Sequence, residues 1–385
     1  MATATQDDWK AGLEDVVAAR SAICAVDGAA GRLYYRGYEI GDLAGRVSFE
    51  EVTQLLWEGE LPEPASGRAF AALLAEARGL PAEVAALLRS LPRECHPLDA
   101  LRTAISLAAI RDPDVRSSDA AANHRKAIRL MALVPEAVAG PRDGAHAAHF
   151  LHLLEGRAPT AEVARVLDVI LTLHADHELN ASTFAARVAV ATLADLHAAV
   201  VAAISTLKGP RHGGANDDVL AMLHEIGDPA RAEAYVETRI GGRGRLSRAE
   251  RADPRARMPG FGHRVYKVDD ARARVLRGMA RDMALATGRT QLFEVAEAVY
   301  AAVTSRTGLP VNVDFFSAVV YDALGIPPDF CTSIFATGRV AGWCAHALEQ
   351  FADNRLIRPR AHFTGPSPRP LSRPLPSIAP PPRPR

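Results

Sequence analysis

Residues 183–204 form a run that is apolar on nearly every face, interrupted only by Arg187, Asp195 and His197. A helix built from it has no polar stripe to offer water, so it must sit inside a large helical core or between subunits. Residues 70–77 and 162–170 repeat the helical period, and alanine and leucine dominate throughout. The fold class is therefore mainly α. One exception lies near the N-terminus, where residues 22–28 and 31–37 read as two extended pieces around a glycine-containing turn, a small β-hairpin.

With 385 residues the chain exceeds the size at which one core keeps growing, so a large and a small domain are expected. Its 45 Lys and Arg balance 45 Asp and Glu, which leaves no overall field for nucleic acid or an anionic membrane. Any anion must be recognised locally. The first eight residues lack the basic start and apolar run of a secretory signal, and no uninterrupted apolar stretch is long enough for a bilayer. A soluble cytoplasmic protein is expected. Cys24, Cys95, Cys331 and Cys344 show no CxxC spacing and are expected as buried free thiols. From residue 366 the composition turns to Pro, Arg and Ser, a solvated polyproline-like tail for which a PxxP docking role is the alternative reading.

Residues able to do chemistry gather in a few places. Pro259-Gly260-Phe261-Gly262-His263-Arg264-Val265-Tyr266-Lys267, closed by Arg272, sets a histidine in a glycine-rich turn among cations. Glycines beside Phe261 let backbone approach a ligand, and His263 can point at a reacting oxygen of an anionic carbonyl compound. Leu207-Lys208-Gly209-Pro210-Arg211-His212-Gly213-Gly214-Ala215-Asn216 places His212 in a tight loop before a helix that Asn216 and Asp217 are expected to cap near Val219. A helix start favours a neutral imidazole and an anionic ligand. Asp314, after Leu309-Pro310-Val311-Asn312-Val313, reads as the N-cap of the next helix or as a desolvated carboxylate serving as base; the two glycine-framed histidines favour the base. His174 and His177 share a helix face, but His174-Ala175-Asp176-His177-Glu178 has neither the HExxH nor the HxxEH order of a metalloprotease.

Taken together, the segments around His212 and His263, with Asn312-Val313-Asp314-Phe315, resemble the citrate synthase family from about residue 12 to about residue 365. The resemblance implies a two-domain, all-helical fold with a small N-terminal hairpin: a large domain from 1–212 and 320–365, a small domain at 213–319 that closes over it, and a disordered tail at 366–385. It implies condensation of acetyl-CoA with oxaloacetate and hydrolysis of citryl-CoA. On that pattern Asp314 is the base, His212 hydrogen-bonds the thioester oxygen and His263 donates to the keto carbonyl. His177, Arg272, Arg339 and Arg358 of the partner subunit hold carboxylates, through the two parallel hydrogen bonds that a guanidinium can make. Gly260, Phe261 and Gly262 receive the adenine of CoA and Lys267 a phosphate. A homodimer with shared sites follows, with the 183–204 region packed against its twin, and neither a metal nor a resident cofactor is expected.

Three features depart from the family pattern. Ala271 replaces a proline that restrains the approach of Arg272, Asp217 replaces a glutamate, and residues 137–147 look shorter than the usual helix connection. The rival readings are 2-methylcitrate synthase, which uses propionyl-CoA on the same scaffold; a non-catalytic CoA-binding homologue, which would be expected to lack one of His212, His263 and Asp314; and a metal-dependent hydrolase on His174 and His177.

Overall fold

The computed structural model describes residues 10–92, 94–139, 159–210, 212–213, 215–240 and 258–366. The shortened connection at 140–147 and the tail from 367 lie outside them. Residues Ser21–Ile357 form one compact unit, and the residues before and after it group separately. Arg358 belongs to that second group and is exposed.

The described residues form fifteen α-helices and one small sheet. The sheet is β1 (Cys24–Asp27), β2 (Arg32–Tyr35) and β3 (Tyr38–Glu39), all antiparallel, with Cys24 opposite Tyr35 and Asp27 opposite Arg32. The expected hairpin is present, extended by a two-residue strand. The helices are α1 (Ile40–Leu43), α2 (Phe49–Glu58), α3 (Pro64–Glu76), α4 (Ala82–Ser90), α5 (Pro97–Arg111), α6 (Ala120–Ala139), α7 (Ala161–His174), α8 (Ala181–Ala191), α9 (Leu196–Leu207), α10 (Ala215–Ile226), α11 (Ala232–Ile240), α12 (Ala271–Thr287), α13 (Thr290–Thr307), α14 (Val313–Ala323) and α15 (Pro328–Ala352). Local chemistry explains their ends. Ser48 and Glu51 form a reciprocal capping box on α2, and Gly59 closes it in the left-handed region. All four cysteines are free; Cys24, Cys331 and Cys344 are buried as expected, but Cys95 is only half-buried.

The 183–204 run is not one helix. α8 ends at Ala191, Leu193 takes a left-handed φ of 66°, and Asp195 starts α9 by accepting from the Ala198 N–H at 3.0 Å. Asp195, read as an interruption, is a helix N-cap. The other two polar residues point inward: Arg187 bonds Gln350 and Glu349, and His197 Nε2 lies 3.4 Å from Asp112.

Helix α15 is the spine, buried on every face from Cys331 to Ala347. It packs on α2, α6, α7, α8, α9 and α10. Gly342 matters here because its N–H donates to Ala175 O at 3.0 Å, and a Cβ there would stand 2.3 Å from that oxygen. The bare backbone lets the turn after α7 press against α15. That turn carries His177.

Candidate active site

Three loops and the spine converge on one cluster. His177 follows α7 in a turn where Glu178 adopts a φ of 51°. Its ring lies 5.2 Å from that of His263 and 5.5 Å from that of Tyr266, with Nε2 3.4 Å from the Tyr266 hydroxyl. Burial, with Arg272 next, holds the His177 pKa well below its usual value.

His263 is oriented by its own loop. The N–H groups of Val265 and Tyr266 both donate to Nδ1, at 3.0 Å each, so the proton of the neutral ring sits on Nε2 and is free to face a ligand oxygen. Burial lowers its pKa to about 4. His212 is the mirror case. The Ser182 N–H donates to Nε2 at 3.4 Å, which puts the proton of the neutral ring on Nδ1. The Ser182 hydroxyl stands 2.8 Å from the same Nε2 and also reaches Asn180 Oδ1 at 2.7 Å and Trp343 Nε1 at 3.1 Å. Burial, then Arg339, lowers the His212 pKa to about 4. Both imidazoles are therefore neutral donors at pH 7, and His174 is too deeply buried to join them: its Nδ1 bonds Ile170 O at 2.8 Å.

Asp314 lies in the first turn of α14, and the cap of that helix is Asn312, whose side chain accepts from the Asp314 N–H. The carboxylate is thus released from capping. Asn216 Nδ2 donates to its Oδ1 at 2.9 Å, and Ser317 Oγ in turn holds Asn216 Oδ1 at 2.6 Å. Asn216 consequently does not cap a helix near Val219; α10 starts earlier, at Ala215, and turns Asn216 toward the carboxylate. Burial raises the Asp314 pKa to about 7, against the pull of Arg272.

The loops bearing His263 and Asp314 run antiparallel. Gly262 N–H donates to Pro310 O, Asn312 N–H to Gly260 O, and Asn312 Nδ2 to Gly262 O. Gly260 has a φ of 79°, and a Cβ would stand 2.7 Å from the Phe315 side chain. Phe261 packs on Phe315 with ring centroids 4.7 Å apart and planes tilted by 59°, while Lys267 is exposed.

Two buried arginines complete the cluster. Arg339 donates from Nε to His174 O at 2.6 Å and lies 4.6 Å over the Phe335 ring; its Nη2 has no partner among the described residues. Arg272 is held by Asp270, Nε to Oδ1 at 3.0 Å and Nη2 to Oδ2 at 2.6 Å, so one edge of its fork is already engaged. Asp270 also caps α12, and this ion pair supplies the restraint that Ala271 was expected to forfeit. His177, His263 and Asp270 offer ligand atoms within 4.8 Å of one another, but with Arg272 on both carboxylate oxygens the set suits an anion better than a cation. Asp217, the shortened acid, is half-buried and pushed up to about 6 by burial.

Sequence reasoning did not find Ser182, Tyr266, Asp270 or Ser317, and it misjudged Asn216. The Ser182 contact leads to an expected result: Ser182→Ala removes the hydroxyl beside His212 Nε2 and should lower kcat by about tenfold with little change in KM. An unchanged kcat would show that the backbone N–H alone sets the His212 tautomer.

Comparison with known proteins places this geometry in a wider set. The model for "Citrate synthase, C-terminal domain" matches residues 12–360. Citrate synthase 2 of Bacillus subtilis (strain 168) is 44% identical over 369 residues, covering 92% of this chain and 95% of the relative. A protein named 2-methylcitrate synthase from Shewanella oneidensis is 38% identical, with 93% and 96% covered. Among solved structures, the ternary complex of citrate synthase from Thermoplasma acidophilum with carboxymethyl coenzyme A and oxaloacetate superimposes with a TM-score of 0.85 at 31% identity, covering 94% of this chain and 97% of that one.

Proposed function

The chain belongs to the citrate synthase family of acyltransferases, and from that premise we propose that it condenses acetyl-CoA with oxaloacetate and hydrolyses the citryl thioester to citrate and CoA. The observation that carries this reading is a buried carboxylate raised to about 7, Asp314, which feels the charges of Arg272 and Arg339 together with two imidazoles kept neutral by burial, His263 near Arg272 and His212 near Arg339. Condensation needs one base and two donors. Asp314 removes a methyl proton from the thioester, and His212 hydrogen-bonds through Nδ1 to the oxygen on which enolate charge grows. The enol carbon attacks the keto carbon while His263 donates from Nε2 to its oxygen. Water then cleaves the thioester and releases CoA.

In this reading His177, Arg272 and Arg339 bind the oxaloacetate carboxylates, joined by Arg358 of the partner subunit in a homodimer with shared sites. The unpartnered Nη2 of Arg339 supports it, because a buried guanidinium donor is costly until an anion arrives. Gly260, Phe261, Gly262 and Lys267 receive CoA. Residues 213–319 act as the small domain, closing over the rest once keto acid is bound and so protecting the thioester from wasteful hydrolysis. No helix among the described residues is long and apolar enough to cross a membrane. Neither a metal nor a resident cofactor takes part in this scheme.

The second reading, propionyl-CoA as acyl donor, is favoured by the 38% identity to the protein named 2-methylcitrate synthase. Thiol release with oxaloacetate, measured for both thioesters, decides between them. A higher kcat/KM with acetyl-CoA upholds the proposal, and a higher value with propionyl-CoA replaces it. No release with either thioester would leave a CoA-binding homologue.

A further inference from the structure

We propose that the β1–β2 hairpin is a bracket that sets the separation of His177 and His263, with Tyr35 and Gly28 as positioning residues for the keto acid. The inference rests on the reading of those two histidines as oxaloacetate ligands.

The base of the hairpin grips the His177 turn. Tyr35 is buried, and its hydroxyl donates to Asp176 O at 2.8 Å while accepting from the Asp176 N–H at 3.0 Å. The residue before His177 is thus fixed at both of its backbone polar groups. On the other side of His177, the Glu178 N–H points to Cys24 Sγ at 3.3 Å and Asp176 Oδ2 at 3.2 Å, which holds the left-handed φ of Glu178 in place. Cys24 and Tyr35 face each other across the β1–β2 ladder, so both grips come from one rung.

The tip of the same hairpin grips the His263 loop. Gly28 O accepts the Lys267 N–H at 2.8 Å, and Gly31 O accepts from Arg274 Nη2 at 2.7 Å. A Cβ on Gly28 would stand 2.3 Å from Val265 O. Val265 is one of the two residues whose N–H fixes the His263 ring, so displacing it re-aims that histidine. The ladder between base and tip is continuous from Cys24–Tyr35 to Asp27–Arg32. One short, paired strip therefore determines where two donors from distant segments stand, and a ligand that must meet both reads its geometry as affinity.

Calorimetric titration of the full-length protein with oxaloacetate tests this. Tyr35→Phe and Gly28→Ala are each expected to weaken binding by about tenfold; Tyr35→Phe raises the oxaloacetate KM with little change in kcat at saturation, whereas Gly28→Ala, which re-aims the donor His263, lowers kcat as well. Tyr35→Phe keeps the ring and leaves the test open should Gly28→Ala fail to fold. In a His177→Gln background Tyr35→Phe should add no further loss, because its effect passes through His177. Additive losses would mean general destabilisation and overturn the bracket. Normal binding by both hairpin variants, with His177→Gln and His263→Gln each impaired, would overturn it as well. If neither histidine variant weakens binding, the reading of the histidines fails first and the bracket falls with it.

Discussion

Asp314→Asn is expected to lower kcat by about 10²–10⁴-fold while oxaloacetate binding stays close to that of the parent. The substitution costs no helix cap, because Asn312 holds that role, and asparagine keeps an oxygen for the Asn216 amide to donate to. What disappears is the proposed base. Its raised pKa also gives the pH dependence a sign. Asp314 accepts a proton only when ionised, so kcat/KM for the thioester should fall as pH drops through about 7, whereas His212 and His263, lowered to about 4, stay neutral there. Stability runs the other way: a carboxyl raised in the folded state binds more protons folded than unfolded, so its contribution is lost as pH climbs from about 4 to about 7. The asparagine variant should accordingly melt above the parent at pH 8. Turnover retained by Asp314→Asn would remove the residue from the role of base.

Arg339→Met should weaken oxaloacetate binding by about 10²-fold or more without lowering the melting temperature. The guanidinium is fully buried, burial lowers its pKa to about 10, and its Nη2 lacks a partner among the described residues. Holding a cation in that state costs the unliganded protein free energy that binding of a carboxylate recovers. Methionine fills a similar volume without the charge; it forfeits the bond to His174 O, and relief of the buried cation offsets that loss. Calorimetric titration and a thermal melt on the same sample separate the alternatives. Intact binding with a lowered melting temperature would make Arg339 a structural residue.

Much of this architecture was legible because it is written locally. Helical periodicity announced the fold class, the glycine-containing turn announced the hairpin, and glycines beside His212 and His263 marked the site. The break at Asp195 was legible too: an aspartate three residues before Ala198 is a cap signal, outweighed by the apolar residues on either side of it. The partners of the site were not. Ser182 meets a histidine 30 residues away, Asn216 a carboxylate 98 away and Tyr35 a peptide group 141 away. Each is an ordinary residue by type, and only the packing of α15 against the turn after α7, or of α10 against α14, gives it a chemical role. Arg272 shows the converse, since the aspartate that engages it stands only two residues away along the chain.

The antiparallel pairing of the segments around Gly260–Gly262 and Pro310–Asn312 has a consequence for how this gene tolerates editing. His263 and Asp314 ride on two rails whose register is fixed by backbone bonds. Deleting one codon from either rail slides it by about 3.3 Å against the other, more than a hydrogen bond survives. A substitution that leaves the rails aligned does no such harm. In these two segments chain length is under tighter constraint than side-chain identity.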